Sequence, residues 1–116
     1  MPIPAEINAL IERLNDELNQ MERSATEGIA LARAILKRFP DNFTVIQLFA
    51  FLNTSIFFAD NARRQLQMRV EALSASAIPR DEDIQEAGED LAIELGRVLE
   101  NKMRVSRIKT RLENLQ

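Results

Sequence analysis

Apolar residues recur at alternating intervals of three and four along the first third of the chain. This spacing keeps one face of an α-helix apolar along its whole length. A weaker repeat of the same kind runs through the last third. Both repeats predict long amphipathic helices. The first comprises Ile7, Ile11, Leu14, Leu18, Met21, Ala25, Gly28, Ala32, Ile35 and Phe39, and the second Ile84, Gly88, Leu91, Leu95, Val98, Lys102, Val105 and Leu112.

Two internal prolines divide the sequence into three segments of similar length. Proline breaks a helix interior but is tolerated near a helix start, so Pro40 and Pro79 mark turns. The pattern predicts helices over about 4–39, 42–77 and 80–115. Short connections place successive helices side by side in opposite directions. We therefore expect a single all-α domain over residues 1–116, built as an elongated, antiparallel, up-down-up three-helix bundle.

The first predicted turn carries its own capping chemistry. Asp41 and Asn42 follow Pro40, and either side chain is suited to cap the N-terminus of the second helix. Across such a turn, residues whose numbers sum to about 80 face each other. This places the small residues Ala25, Gly28 and Ala32 opposite a segment that comprises Leu48, Phe49, Leu52 and Ser55. A small residue there lets a bulky neighbour approach closely. Alternatively, the missing side chain at Gly28 leaves a cavity for an apolar small molecule or lipid, or the glycine is simply tolerated there.

The middle segment is unusually apolar. Between Asp41 and Asp60 lie eighteen residues without a charge, including five of the six phenylalanines. At 100° per residue, one stripe is enough to face a core. The remaining apolar residues lie on the opposite side or on the flanks. The predicted core stripe is Val45, Phe49, Leu52, Ile56, Ala59, Leu66, Val70 and Leu73; the predicted surplus, and candidate interface, is Phe51 and Phe58 with Phe43, Ile46 and Phe57 beside them.

Three interpretations of this surplus compete. Eighteen residues is the lower limit for a membrane-spanning helix, and the polar residues within the run disfavour a span. A second interpretation is that the third helix covers Phe51 and Phe58. The interpretation we favour is association with another protein, most simply with a second copy of the chain in a homodimer, because contiguous exposed apolar surface usually marks an interface.

The chemistry available to the chain is narrow. It contains no Cys and no His, so thiolate nucleophiles, imidazole bases and the usual ligands of transition metals are missing. We predict no enzymatic activity, no cofactor and no metal. The formal net charge of −3 disfavours nucleic-acid binding. A less favoured alternative is phosphate contact through the basic stretch between Arg97 and Arg111. Without an apparent leader sequence, a cytoplasmic location is expected.

One charged residue interrupts the predicted core stripe of the middle helix. Arg63 lies between Ala59 and Leu66, and a partly buried guanidinium requires a carboxylate partner. The registers estimated for the two turns place it near Glu17 of the first helix and Glu94 of the third. We predict that these three residues form a structural ion-pair cluster and not a functional site.

Overall fold

Three long α-helices form this protein in a computed structural model that describes residues 3–75 and 80–115. They are α1 (Ala5–Arg38), α2 (Phe43–Ala75) and α3 (Asp81–Asn114), and no strand occurs in the described ranges. The prediction of an all-α, three-helix protein is confirmed, with the described helix ends within one residue of those expected. The predicted end of the middle helix at 77 and the turn around Pro79 lie outside the described residues.

The three helices pack along their lengths, so the molecule is a rod of 59 × 18 × 16 Å. A helix of 34 residues at 1.5 Å per residue is about 50 Å long, which accounts for the long axis. α1 packs extensively against both other helices, whereas α2 and α3 touch each other less. One side of α2 is therefore left at the surface along much of its length.

The turn between α1 and α2 is closed by local hydrogen bonds. The Asn42 backbone N–H donates to the Phe39 carbonyl at 3.1 Å. The Asn42 side-chain oxygen accepts a hydrogen bond from the Val45 N–H at 3.2 Å, in the N-cap position. The predicted tight turn is thus confirmed, and Asn42 is the cap. α1 ends at Arg38, and Phe39 is 57% exposed although the apolar repeat placed it in the core.

At the start of α3 the first turn carries three acids. Asp81, Glu82 and Asp83 lie where the partial positive charge of the helix dipole favours carboxylates. The Asp83 carboxylate also accepts a hydrogen bond from the Arg80 backbone N–H at 3.4 Å. The acidic start of the third helix therefore has a structural role.

The core is a single apolar cluster that runs along the axis of the rod. α1 contributes the largest share of it, mainly through the seam predicted from the sequence, while Ile11 of that seam is half-buried. The fully buried members from α1 and α3 are Ile7, Leu14, Leu18, Met21, Ala25, Gly28, Ile29, Ala32, Ile35, Leu91, Leu95, Val98, Val105 and Leu112.

The buried face of α2 is rotated from the predicted stripe towards the side that carries small residues. Phe49 and Ile56, expected in the core, are only half-buried, and Ser55 and Ala62 are buried instead. Small side chains allow the neighbouring helix axes to approach closely. The buried residues of α2 are Val45, Leu52, Ser55, Ala59, Ala62 and Leu66.

Candidate functional site

Three large apolar side chains are exposed on the outward side of the first half of α2. The exposed residues of this side are Phe43, Ile46, Gln47, Ala50, Thr54 and Phe57, which we call the uncharged face. Phe43 is 69% exposed and Phe57 is 72% exposed, and Ile46 is 42% exposed. Single exposed apolar residues are common on proteins, but here two phenylalanines and an isoleucine share one charge-free stripe that extends over about 21 Å of the helix.

The candidate interface residues predicted from the sequence divide into two groups. Phe43, Ile46 and Phe57 lie on the uncharged face. Phe51 and Phe58, expected to be the most exposed, are instead half-buried and pack against the core. The rotation of α2 towards Ser55 brings their side of the helix inward. The excess apolar surface is therefore real, but its principal members are Phe43 and Phe57.

Residues of the uncharged face that the sequence did not predict are Gln47, Ala50 and Thr54. Ala50 lies seven residues from both Phe43 and Phe57, so all three share one stripe of the helix. The Thr54 hydroxyl donates a hydrogen bond to the Ala50 carbonyl at 3.0 Å. Because this hydroxyl already donates a hydrogen bond within the helix, burying it in an interface leaves no unsatisfied donor. The same seven-residue spacing relates Phe51 to Phe58, so spacing alone does not identify this stripe.

The composition of α2 also bears on membranes. Among the described residues it is the one helix long and apolar enough to cross a bilayer, judged by length and composition only. The core helix of an ordinary globular protein satisfies the same criterion, so this finding alone is weak. A core helix is mostly buried, however, and only 22% of the most apolar window of α2 is buried within the chain. The helix thus presents apolar surface that its own bundle leaves uncovered.

The predicted cluster of Arg63, Glu17 and Glu94 does not form. Arg63 forms an ion pair with Glu22, and its side chain donates a second hydrogen bond, to Asn19, at 2.9 Å. Glu17 and Glu22 are about 140° apart around α1, at 100° per residue. The other two residues of the predicted cluster have different partners. Glu17 pairs with Lys102 at 2.8 Å, and Glu94 pairs with Arg97 at 3.7 Å.

The Arg63 pairing predicts a modest stabilising interaction between α1 and α2. The side chains of Arg63 and Glu22 are 30% and 37% exposed, so water screens the pair in part. We expect a double-mutant cycle with Arg63→Ala and Glu22→Ala to give a coupling free energy of about 1 kcal/mol. Urea denaturation of the four proteins measures it. A cycle with Glu94→Ala in place of Glu22→Ala is the control, and equal coupling in both cycles would refute the assignment.

Two of the six basic residues between Arg97 and Arg111 contact α1. The Lys102 ammonium donates to Glu17 at 2.8 Å and to Gln20 at 2.7 Å. Lys109 forms an ion pair with Glu27. These two lysines therefore have a structural role between helices. Arg104, Arg107 and Arg111 of the same stretch are exposed.

The Glu27–Lys109 pair gives stability a predictable pH dependence. The hydrogen bond from Lys109, helped by its charge, lowers the pKa of Glu27 below its usual value of 4.5. The hydrogen bond to Glu27 raises the pKa of Lys109 above its usual value of 10.5, against a smaller opposing effect of desolvation. The contribution of Glu27 is present above the unfolded pKa and is lost as pH falls through the folded pKa. The contribution of Lys109 is lost as pH rises through its own raised value.

We therefore expect Glu27→Gln to be less stable than the unmodified chain near neutrality and equally stable in strong acid. The free energy of unfolding measured in urea between about pH 7 and about pH 2 tests this linkage. Glu12→Gln, at an exposed position of the same helix, is the matched control. A stability difference for Glu27→Gln that stays constant down to the lowest pH would contradict the pairing.

The space opposite Gly28 is filled. A Cβ atom added at Gly28 would lie 2.9 Å from Leu52 Cδ1, closer than real contacts allow. Ala25 and Ala32, one turn to either side, are fully buried. The small residues of α1 thus admit a bulky neighbour, and they do not enclose a cavity for a ligand.

The remaining concavities are shallow and open. One of about 330 Å³ lies at an end of the bundle beside Ile35, Phe39 and Leu115. Another of about 210 Å³ lies between α2 and α3, where Phe58 and Glu100 line it with Arg97, Asn101 and Arg104. Within residues 3–75 and 80–115, no three acidic side chains converge as a metal site would require. None of these features has the enclosed apolar form of a small-molecule site.

Comparisons with known proteins give no relative. The chain matches no family model, and neither curated proteins nor solved structures show significant similarity to it.

Proposed function

We propose that this protein is a non-enzymatic assembly module that associates with a second copy of itself through the uncharged face of α2. The observation that carries the proposal is the exposure of Phe43 and Phe57, 69% and 72%, on a stripe without a charge. Apolar residues gain most from an interface when they are largely exposed in the free protein. A second copy offers a surface of matching character, because both copies present the same face.

We infer that the bundle follows the predicted up-down-up path. The contacts between α1 and α2 support opposite directions, since Gly28 meets Leu52 while Glu22 meets Arg63. The contacts between α1 and α3 support a common direction, since Glu17 meets Lys102 and Glu27 meets Lys109. On this path the turn at Pro40 lies at one end of the rod, and the uncharged face extends from that end towards the middle.

Two other functions have less support from the contacts. Binding of an apolar molecule beside Gly28 requires space that the Leu52 side chain occupies. Nucleic-acid binding through α3 has less support because the chain has a net charge of −3 and because carboxylates of α1 hold two of the six bases, Lys102 and Lys109. Neither function would explain why the outward side of the first half of α2 lacks charge.

The direct test of self-association is the mass of the protein in solution. We expect light scattering at tens of micromolar to give a mass approaching twice that of the 13.2 kDa chain, falling on dilution. The same measurement with vesicles of phosphatidylcholine added distinguishes a membrane surface from a second copy. A protein that stays monomeric at these concentrations, with or without binding to vesicles, would overturn the proposal.

A further inference from the structure

Resting on the proposed function, we infer how the two copies meet: their α2 helices lie antiparallel, with Ala50 on the two-fold axis and Phe43 packed against Phe57 of the other copy. The residues that determine this arrangement share one stripe of α2. At intervals of seven they are Phe43, Ala50, Phe57, Arg64 and Glu71. Residues at this interval occupy equivalent positions along the seam of two packed helices.

A parallel pair of α2 helices would place identical residues opposite each other along the whole stripe. Arg64 would then face Arg64 of the other copy, and Glu71 would face Glu71. Both residues are exposed in the free chain, and like charges facing each other across a contact destabilise it. The parallel pair would therefore combine the favourable contacts of Phe43 and Phe57 with two repulsive contacts. The charge pattern therefore disfavours the parallel pair.

An antiparallel pair centred on Ala50 avoids this repulsion. Residues whose numbers sum to 100 then face each other, so Phe43 meets Phe57 twice and Ala50 meets Ala50. The uncharged segment 42–59 has its midpoint between residues 50 and 51, so it overlaps almost entirely with the same segment of the other copy. Arg64 and Glu71 would face positions 36 and 29, which precede α2, and they remain in solvent.

Other antiparallel registers lose these matches. Centring the pair on Phe57 would bring Phe43 against Glu71 and Ala50 against Arg64, which buries charges beside apolar groups. Centring it on Phe43 would leave Phe57 beyond the end of the partner's helix. Ala50 is exposed and small, so it permits close approach of the two helices at the axis. The register about Ala50 is the one that covers both phenylalanines with apolar partners.

The area available indicates a weak to moderate dimer. Each phenylalanine exposes roughly 140 Å², if a whole side chain contributes about 200 Å². Four of them therefore supply roughly 560 Å² of the approximately 1,200 Å² that a stable interface buries in total. The rest must come from the other members of the uncharged face. We expect a dissociation constant in the micromolar range, with rapid exchange between copies.

Single cysteines carrying spin labels test this register, since the natural chain contains no cysteine. Asn61→Cys and Met68→Cys place the label on exposed positions beyond the overlapped segment. In the antiparallel pair centred on Ala50, the axial distance between equivalent labels grows by 3 Å for each residue away from 50. Pulsed dipolar spectroscopy should therefore give about 33 Å for residue 61 and about 54 Å for residue 68.

Equal short distances at both positions would reveal a parallel pair and overturn this register while leaving self-association intact. Distances that grow with position but extrapolate to zero away from residue 50 would equally overturn it. The light-scattering mass of each labelled variant is measured in the same samples. Failure of the proposed function itself appears differently, as a monomeric mass with no dipolar coupling between chains.

Discussion

Phe43→Asp combined with Phe57→Asp should leave a folded protein that no longer self-associates. Each dimer would lose four phenylalanine contacts, because each copy contributes both residues. Truncating an interface side chain that contributes to binding costs about 1 kcal/mol or more, so four such losses amount to about 4 kcal/mol. That corresponds to a roughly thousand-fold increase in the dissociation constant. The thermal unfolding midpoint of the monomer should barely change, since both side chains are largely exposed.

A matched control uses equally exposed apolar residues on another helix. Ile93 and Met103 of α3 are 58% and 55% exposed, and they lie outside the uncharged face. Ile93→Asp combined with Met103→Asp adds the same charge and should leave the dissociation constant within a few-fold of the unmodified value. If sedimentation velocity finds that both double variants dissociate equally, the association depends on general surface polarity and not on α2.

Gly28→Val and Leu52→Ala should each destabilise the fold strongly and largely compensate each other when combined. Valine at residue 28 would collide with the Leu52 side chain, because even a Cβ atom there lies 2.9 Å from Cδ1. Overpacking of this kind costs about 1–3 kcal/mol. Leu52 is fully buried, so its truncation leaves a cavity and costs about 2–5 kcal/mol. The double variant moves three carbon atoms from one helix to the other and nearly conserves volume.

Urea denaturation of the four proteins gives the coupling free energy, which we expect to be favourable by about 2 kcal/mol. Gly96→Val is the control for replacing glycine within a helix. Nothing lies within 4 Å of a Cβ atom placed at Gly96, so that variant should be as stable as the unmodified chain or slightly more stable. Identical effects of valine at residues 28 and 96 would show that the contact with Leu52 is not restrictive.

The sequence predicts the helices well because local chemistry determines them. Pro40 cannot continue a helix interior, and Asn42 provides the cap that starts the next one, so the first boundary lies where the pattern places it. The seam of α1 was equally predictable, since α1 packs on both other helices and its repeat must face them. The contact between Gly28 and Leu52 followed from the turn alone.

The orientation of α2 was not predictable in the same way. Apolar residues occur on all sides of the helix between residues 42 and 59, so its pattern does not select one face. Tertiary packing decides the rotation, by turning Ser55 and Ala62 inward. That turn half-buries Phe51 and Phe58 and leaves Phe43 and Phe57 outside. If one side of α2 carried mainly polar residues in this segment, the sequence would have predicted that this side faces solvent.

The ion pairs were missed for a related reason. The turn register placed Arg63 at the correct level of α1 to within about one turn, but several acids lie at that level. Glu22 is the partner because its position around α1 faces α2, whereas Glu17 faces Lys102 of α3. A long side chain reaches more than one candidate, so an estimated register selects a neighbourhood and not a partner.

The measurement that tests the uncharged face most directly is fluorine NMR of the protein made with 4-fluorophenylalanine. The chain has six phenylalanines, and single Phe→Leu variants assign their signals. On dilution through the dissociation constant, we predict that the signals of Phe43 and Phe57 shift while those of Phe49, Phe51 and Phe58 stay nearly constant. Signals that are all unchanged by dilution, or a shift confined to Phe51 and Phe58, would contradict self-association through this face.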